Sequence, residues 1–240
     1  MSDGGLASLV ACAMAREALL ARAPQAGKPA PRVIVWCPSG RGASTRSADE
    51  QTFPFALAAR RQAQLLDLEW AGDSAPRSAD PATSHQAVHN TDDLLAAGRL
   101  AMSLGIRTVI WPAHYGSGKP GEPTTLDLDR AAVGADRALL VGRLMSLEGH
   151  ESGVPSIRIE TPLLDLSDRQ LAELAVDLGV SISLEGPQAK ACWWTLALQE
   201  PSRWSSEAID LATAERIRWV PVLRDAGMTI SADTVAGGTA

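Results

Sequence analysis

Two short apolar runs decide the fold: residues 33–37 read VIVWC, and residues 108–111 read TVIW. Both runs are rich in β-branched and aromatic residues, and each is followed by a proline, Pro38 or Pro112. Continuous apolar runs of this length are typical of strands that are buried on both faces. Similar runs at residues 66–70 and 156–160 bring the expected number of strands to four.

Stretches rich in Ala and Leu separate these runs and predict helices. The predicted helices are residues 8–22, 55–66, 91–104, 126–147, 166–179 and 207–226. Strands that alternate with helices predict an α/β fold, in which helices cover both faces of one Rossmann-like parallel sheet. We expect one domain, with a nucleotide-binding core at 1–165, a C-terminal helical part at 166–228 and a frayed tail at 229–240.

The composition limits the classes of partner. The chain has 240 residues, of which 45% are hydrophobic and 21% charged, and this excludes a disordered or fibrous protein. A net charge of −6 disfavours direct binding of nucleic acid, and no apolar run is long enough to span a membrane. Three widely spaced cysteines, Cys12, Cys37 and Cys192, predict a cytoplasmic protein without zinc. We expect a small-molecule ligand and leave a homodimer open.

The opening stretch, residues 2–8, reads SDGGLAS and precedes a predicted helix. Two glycines allow a close approach of the backbone to an anion, and a helix N-terminus offers free N–H groups to it. This pattern predicts a phosphate site, although a flexible Gly/Ser terminus has the same composition. The candidate ATP-binding residues are Ser2, Gly4, Gly5, Leu6, Ala7 and Ser8.

Three other patterns favour a structural reading. Residues 116–120 read GSGKP but do not match the P-loop pattern. That pattern requires Gly where this chain has Ala113, and Ser or Thr where it has Pro120. His85 and His89 are four residues apart, but no carboxylate or thiol nearby completes a metal site. Four tryptophans near the C-terminus are expected to pack in the core or at an interface rather than to stack on a ligand. They are Trp193, Trp194, Trp204 and Trp219.

Residues 160–167 read ETPLLDLS, and this segment resembles the T-P-L-[IL]-D-L-[ST] motif of the 7-cyano-7-deazaguanine synthases. That family belongs to the N-type ATP pyrophosphatases, or PP-loop proteins. Its opening S-G-G-x-D-S loop resembles residues 2–8, and its R-N-T motif resembles residues 89–91. Its D-Y-S-G-x-P and A-F-x-E-A-G motifs resemble residues 114–120 and 222–227, in the same order along the chain.

The resemblance implies an ATP-dependent carbon–nitrogen ligase of queuosine biosynthesis that uses Mg²⁺. Such an enzyme adenylates a deazapurine carboxylate, converts it to the amide with ammonia, and dehydrates the amide to the nitrile. ATP would lie on the opening loop. The substrate side would be formed by Asn90, Thr91, Tyr115, Ser117 and Asp165.

Two positions of the opening loop depart from the family's motif. Ala7 stands where the family has Asp, and Asp3 is inserted between Ser2 and Gly4. The sequence therefore leaves three functions open: an active ligase, an inactive nucleotide-binding relative, and an ATP-binding protein of the universal-stress type. Asp165 is expected either to contact the substrate or to cap the following helix. We assign no residue as catalytic.

Overall fold

Helices and short strands alternate along the chain in a computed structural model. It describes residues 1–22, 31–38, 54–71, 91–116, 122–151, 153, 156–180, 182, 191–228 and 230. Its helices are α1 (Leu6–Leu20), α2 (Pro54–Leu65), α3 (Thr91–Ser103), α4 (Leu128–Glu151), α5 (Asp168–Asp177), α6 (Trp193–Gln199) and α7 (Ser206–Asp225). Its strands are β1 (Ile34–Val35), β2 (Glu69–Trp70), β3 (Thr108–Ile110) and β4 (Arg158–Glu160). The α/β class is thus confirmed.

The strands form two sheets instead of the single sheet that we expected. β1 pairs in parallel with β2, and β3 pairs in parallel with β4. Neither pair is hydrogen-bonded to the other within the described residues, so each sheet has two strands. β1 and β3 line the same cavity without a hydrogen bond between them in the described part of the chain. The parallel direction of the strands is as expected, and the single sheet is not.

Two main hydrophobic clusters hold the chain together. The larger one joins α1 and α2 to α5, α6 and α7, and its centre contains the fully buried Leu171, Trp194 and Leu223. The smaller one lies between α3, α4 and β3, around Trp111 and Met145. The prediction that the tryptophans pack in the core is confirmed. Trp193, Trp194, Trp204 and Trp219 are all buried in the larger cluster.

Helix α6 is an element that the sequence pattern did not predict. Its seven residues read WWTLALQ, and its first five are buried, so the segment has no polar face to give a helical period.

Helix α5 begins as expected, because the Ser167 hydroxyl accepts the Gln170 N–H and the Gln170 side chain accepts the Ser167 N–H. None of the described helices combines the length and the apolarity needed to cross a membrane.

Candidate functional site

The opening loop lies across the carboxyl ends of β1 and β3. The Met1 amino group donates a hydrogen bond to the Ile110 carbonyl oxygen at 3.3 Å, and the Ser2 N–H donates to the Trp36 carbonyl oxygen at 2.7 Å. Parallel sheets bind ligands at this edge because the loops that follow the strands meet there. The residues predicted to hold ATP therefore lie at the edge that the fold makes available for a ligand.

Gly4 is required by the packing of this loop. Its φ of +73° lies in the left-handed region, and a Cβ atom there would come within 2.7 Å of the Phe55 carbonyl oxygen and the Ala58 Cβ. The Gly4 carbonyl also accepts the Trp193 N–H at 2.8 Å, which ties the loop to α6. Contact with α2 and α6 is thus sufficient to explain this glycine without a ligand.

Asp3 places a carboxylate beside the start of α1. Its carboxylate oxygen Oδ1 accepts hydrogen bonds from the Gly5 N–H at 2.8 Å and from the Ser8 hydroxyl at 2.6 Å. The Asp3 N–H in turn donates to the Ser8 Oγ at 3.1 Å. A helix N-terminus attracts negative charge, and here the protein's own carboxylate supplies it.

The other predicted ATP-binding side chains are also engaged within the protein. The Ser2 hydroxyl accepts the Gly4 N–H at 3.0 Å and donates to the Gln62 Oε1 at 2.9 Å. Leu6 is buried in the larger hydrophobic cluster, and Ala7 packs against the same cluster. Both serines of the loop are fully buried, so a phosphate can reach their hydroxyls only if the loop rearranges.

The predicted substrate residues are distributed over several elements. Asn90 and Ser117 lie outside the described residues, and Thr91 is exposed at the first position of α3. Tyr115 is buried, and burial raises the pKa of its phenol. The Arg130 guanidinium lies 5.4 Å from the centre of the Tyr115 ring.

Asp165 is exposed in the turn before α5, and its side chain makes no hydrogen bond or ion pair within the described part of the chain. It does not cap α5, because Ser167 does. The capping reading of Asp165 is therefore wrong. Its role in substrate binding stays a prediction.

A buried ionic cluster at the same edge was not predicted from the sequence. Asp168 is 1% exposed and accepts two hydrogen bonds from Arg218, at 2.7 and 2.9 Å. The His114 Nε2 lies 3.6 Å from the Asp168 Oδ1. Glu215 accepts the indole N–H of Trp219 at 2.7 Å. We call Asp168, Arg218, His114 and Glu215 the edge cluster.

The pKa values in the edge cluster show how its charges are balanced. Burial lowers the pKa of His114 to about 4, and the nearby charge of Arg218 acts in the same direction, against Asp168. His114 is therefore neutral at pH 7, and its contact with Asp168 is not an ion pair. Burial raises the pKa of Glu215, and the negative charges of Asp3 and Asp168 add to this shift against the effect of Arg218.

Among the described residues of this edge, the carboxylates of Asp3, Asp168 and Glu215 lie near the guanidinium of Arg218. Arg218 forms a bidentate pair with Asp168 and lies 3.6 Å from a Glu215 carboxylate oxygen. Asp168 and Arg218 are fifty residues apart in the chain, so no local spacing could have paired them. The only available signal was an aspartate in the first turn of a predicted helix, which is usually an exposed position.

Within the described residues, no three His, Cys, Asp or Glu side chains converge in a way that could hold a metal ion. The absence of zinc stays a prediction. Comparison with protein-family models, with curated proteins and with solved structures finds no match for this chain.

Proposed function

We propose that the protein is a nucleotide-binding relative of the N-type ATP pyrophosphatases that has little or no catalytic activity. The observation that carries this proposal is the Asp3 carboxylate, which accepts the Gly5 N–H and the Ser8 hydroxyl at the N-terminus of α1. The loop retains the backbone donors that suit a phosphate, and its own side chain competes for them.

Charge gives a second reason to expect weak phosphate binding. A triphosphate that enters this edge meets the carboxylates of Asp3, Asp168 and Glu215. Like charges at such distances oppose each other, and Arg218 cannot turn to the phosphate without leaving Asp168 unpaired. ATP would therefore bind as the Mg²⁺ complex, after the Asp3 side chain moves away from α1.

We expect the changes in the opening loop to reduce catalysis more strongly than nucleotide binding. Transfer of the adenylyl group from ATP to a carboxylate requires that the phosphates and the metal ion be positioned to within a fraction of an ångström. Ala7 carries no metal-binding oxygen where the family's motif has a carboxylate, and its methyl group packs against the hydrophobic core. Backbone donors tolerate these changes because they do not depend on the side chain. An ATP-binding protein of the universal-stress type would share this behaviour.

The test is release of pyrophosphate from ATP in the presence of Mg²⁺, ammonia and 7-carboxy-7-deazaguanine. We expect the wild type and Ala7→Asp to stay near the background rate, because Asp3 still fills the anion position in both. Ala18→Asp, on the exposed end of α1, is the matched control. Turnover of the wild type at about 1 s⁻¹ or more, a rate usual for enzymes, would contradict the proposal and identify an active ligase.

The remaining expectations belong to the same proposal. We place the protein in the cytoplasm, since Cys12, Cys37 and Cys192 are buried and form no disulfide. We propose a small molecule, and not a nucleic acid, as its ligand, because the chain carries a net charge of −6. Sedimentation of the purified protein decides between a monomer and a homodimer.

A further inference from the structure

Helix α4 carries an apolar stripe on its exposed side. Its buried face packs against α3 and β4 around the fully buried Met145. Away from that face, four apolar side chains lie along one line, because residues three, four or seven apart share a side of a helix. They are Val133, Leu140, Leu144 and Leu147, and they are 44% to 66% exposed. We call these four residues the α4 seam.

The seam is large enough to form the centre of an interface. It extends from Val133 to Leu147, which is about 21 Å along the helix. It exposes roughly 400–500 Å² of apolar surface, and contiguous patches of this size on soluble proteins are often functional. By contrast, Leu20 on α1 and Ile217 on α7 are the single large exposed apolar residues of their helices in the described part of the chain.

A row of charged residues runs beside the seam. Its members are seven residues apart, so they lie along one side of the helix. They are Asp129, Asp136, Arg143 and His150, and all four are exposed. Within the described residues, none of the four side chains forms a hydrogen bond or an ion pair. The row is thus acidic in the first half of α4, and an arginine and a histidine occupy the second half.

This order of charges complements itself when two copies of α4 pair in opposite directions. A two-fold axis that crosses the helix midway between Asp136 and Arg143 brings each Asp136 to Arg143 of the second copy. The same axis brings Asp129 to His150 of the second copy. Parallel pairing would instead place each residue beside its own copy, so that aspartate would face aspartate and arginine would face arginine.

The seam fits the same axis. The axis passes beside Leu140, so the two copies of this residue meet at the centre. Val133 comes to the level between Leu144 and Leu147 of the second copy, which is how a side chain enters a hole in a coiled coil. The charged row and the apolar seam therefore favour one and the same alignment.

We propose that the α4 seam is the interface of a symmetric dimer, in which the α4 helices of two copies of this chain pack antiparallel about this axis. A second copy is the partner that the charged row fits, because a two-fold axis brings its acidic half to its basic half. A patch of this size predicts a dimer that dissociates on dilution, since obligate dimers have larger interfaces. The inference does not depend on nucleotide binding.

Sedimentation equilibrium of the purified protein tests the interface. We expect the wild type to be a dimer at about 100 µM. Leu140→Glu places two carboxylates at the axis and should raise the dissociation constant about a hundredfold. Leu140 is exposed, so the variant should fold normally, as circular dichroism can check. Leu20→Glu, at an equally exposed leucine of α1, is the matched control and should dimerise like the wild type. A monomeric wild type at this concentration, or a dimer that Leu140→Glu leaves intact, would overturn the proposal.

Reversal of charge tests the antiparallel alignment. Asp136→Arg should raise the dissociation constant about tenfold, because each new arginine faces Arg143 of the second copy. Addition of Arg143→Asp to the same chain should restore the wild-type affinity, since each arginine then faces an aspartate again. A double variant that dimerises no better than Asp136→Arg would contradict the alignment.

Disulfide cross-linking measures the alignment separately. Leu140→Cys lies beside the axis and should form a cross-linked dimer under mild oxidation. Val133→Cys would lie about 20 Å from its own copy along the helix and should not, because a disulfide joins cysteines only over a few ångström. Efficient cross-linking of Val133→Cys would show parallel pairing and overturn the antiparallel dimer.

Discussion

Two carboxylates at the same sheet edge, Asp168 and Asp3, are held in different ways. Asp168 is 1% exposed and receives two charge-assisted hydrogen bonds from Arg218. Asp3 is half-buried, and its carboxylate accepts one backbone N–H and one hydroxyl group. The first is neutralised by a full opposite charge, and the second only by dipoles.

The difference shows which of the two carboxylates a ligand can displace. A buried ion pair that loses one partner leaves an uncompensated charge, so Asp168 is fixed by the cost of separating it from Arg218. The donors around Asp3 are neutral, and a phosphate oxygen could replace the carboxylate at each of them. Asp168 is therefore structural, and Asp3 is the group that a ligand would displace.

The largest effect is expected for Asp168→Ala. The substitution removes the bidentate partner of Arg218 and leaves it only the weaker contact with Glu215 at 3.6 Å, so we expect the free energy of unfolding to fall by about 3 kcal/mol. Asp165→Ala, three residues earlier and exposed, should change it by less than about 0.5 kcal/mol. Urea denaturation of the two variants measures this. Equal stabilities would show that the Asp168–Arg218 pair does not hold α5 to α7.

A smaller effect is expected from the titration of His114. Its pKa of about 4 in the folded protein is below the ordinary value of 6.5, so the unfolded chain binds more protons between these pH values. The lowered pKa therefore costs no stability above pH 6.5. As the pH drops from 6.5 to 4, it reduces the free energy of unfolding by about 3 kcal/mol. Glu215, whose raised pKa stabilises the fold at acid pH, acts in the opposite direction.

The variant His114→Gln isolates the histidine in this measurement, because it has no group that titrates there. Its free energy of unfolding, followed from pH 7 to pH 4, should fall less steeply than that of the wild type. Parallel curves for the two proteins would show that His114 does not titrate with a lowered pKa.

Local patterns predicted the elements of this fold better than their association. The β-branched runs located β1 and β3, and the helix predicted over residues 166–179 contains α5, because these features depend on neighbouring residues. The expected single sheet was not found, because the pairing of strands depends on contacts between residues far apart in the chain. No periodicity within either run contains that information.

The sequence predicted a phosphate site in residues 2–8 but not where this loop lies in the fold. The hydrogen bonds of Met1 and Ser2 place it at the carboxyl ends of β1 and β3. Asp3 looked like an insertion, and only the structure shows that it bonds to Gly5 and Ser8. Asp168 and Arg218 could not be paired, since a contact across fifty residues leaves no local pattern.

Calorimetric titration with MgATP tests most directly whether Asp3 competes with a phosphate at the start of α1. Asp3→Asn keeps an oxygen that can accept the Gly5 N–H and removes the charge, so stability should change by less than about 1 kcal/mol. ATP should then bind about tenfold more tightly than to the wild type, a gain of about 1.4 kcal/mol. Asp177→Asn, which changes the net charge equally at an exposed site, should bind like the wild type. Equal affinities for all three proteins, or tighter binding by the wild type than by Asp3→Asn, would contradict the claim that Asp3 occupies a phosphate position.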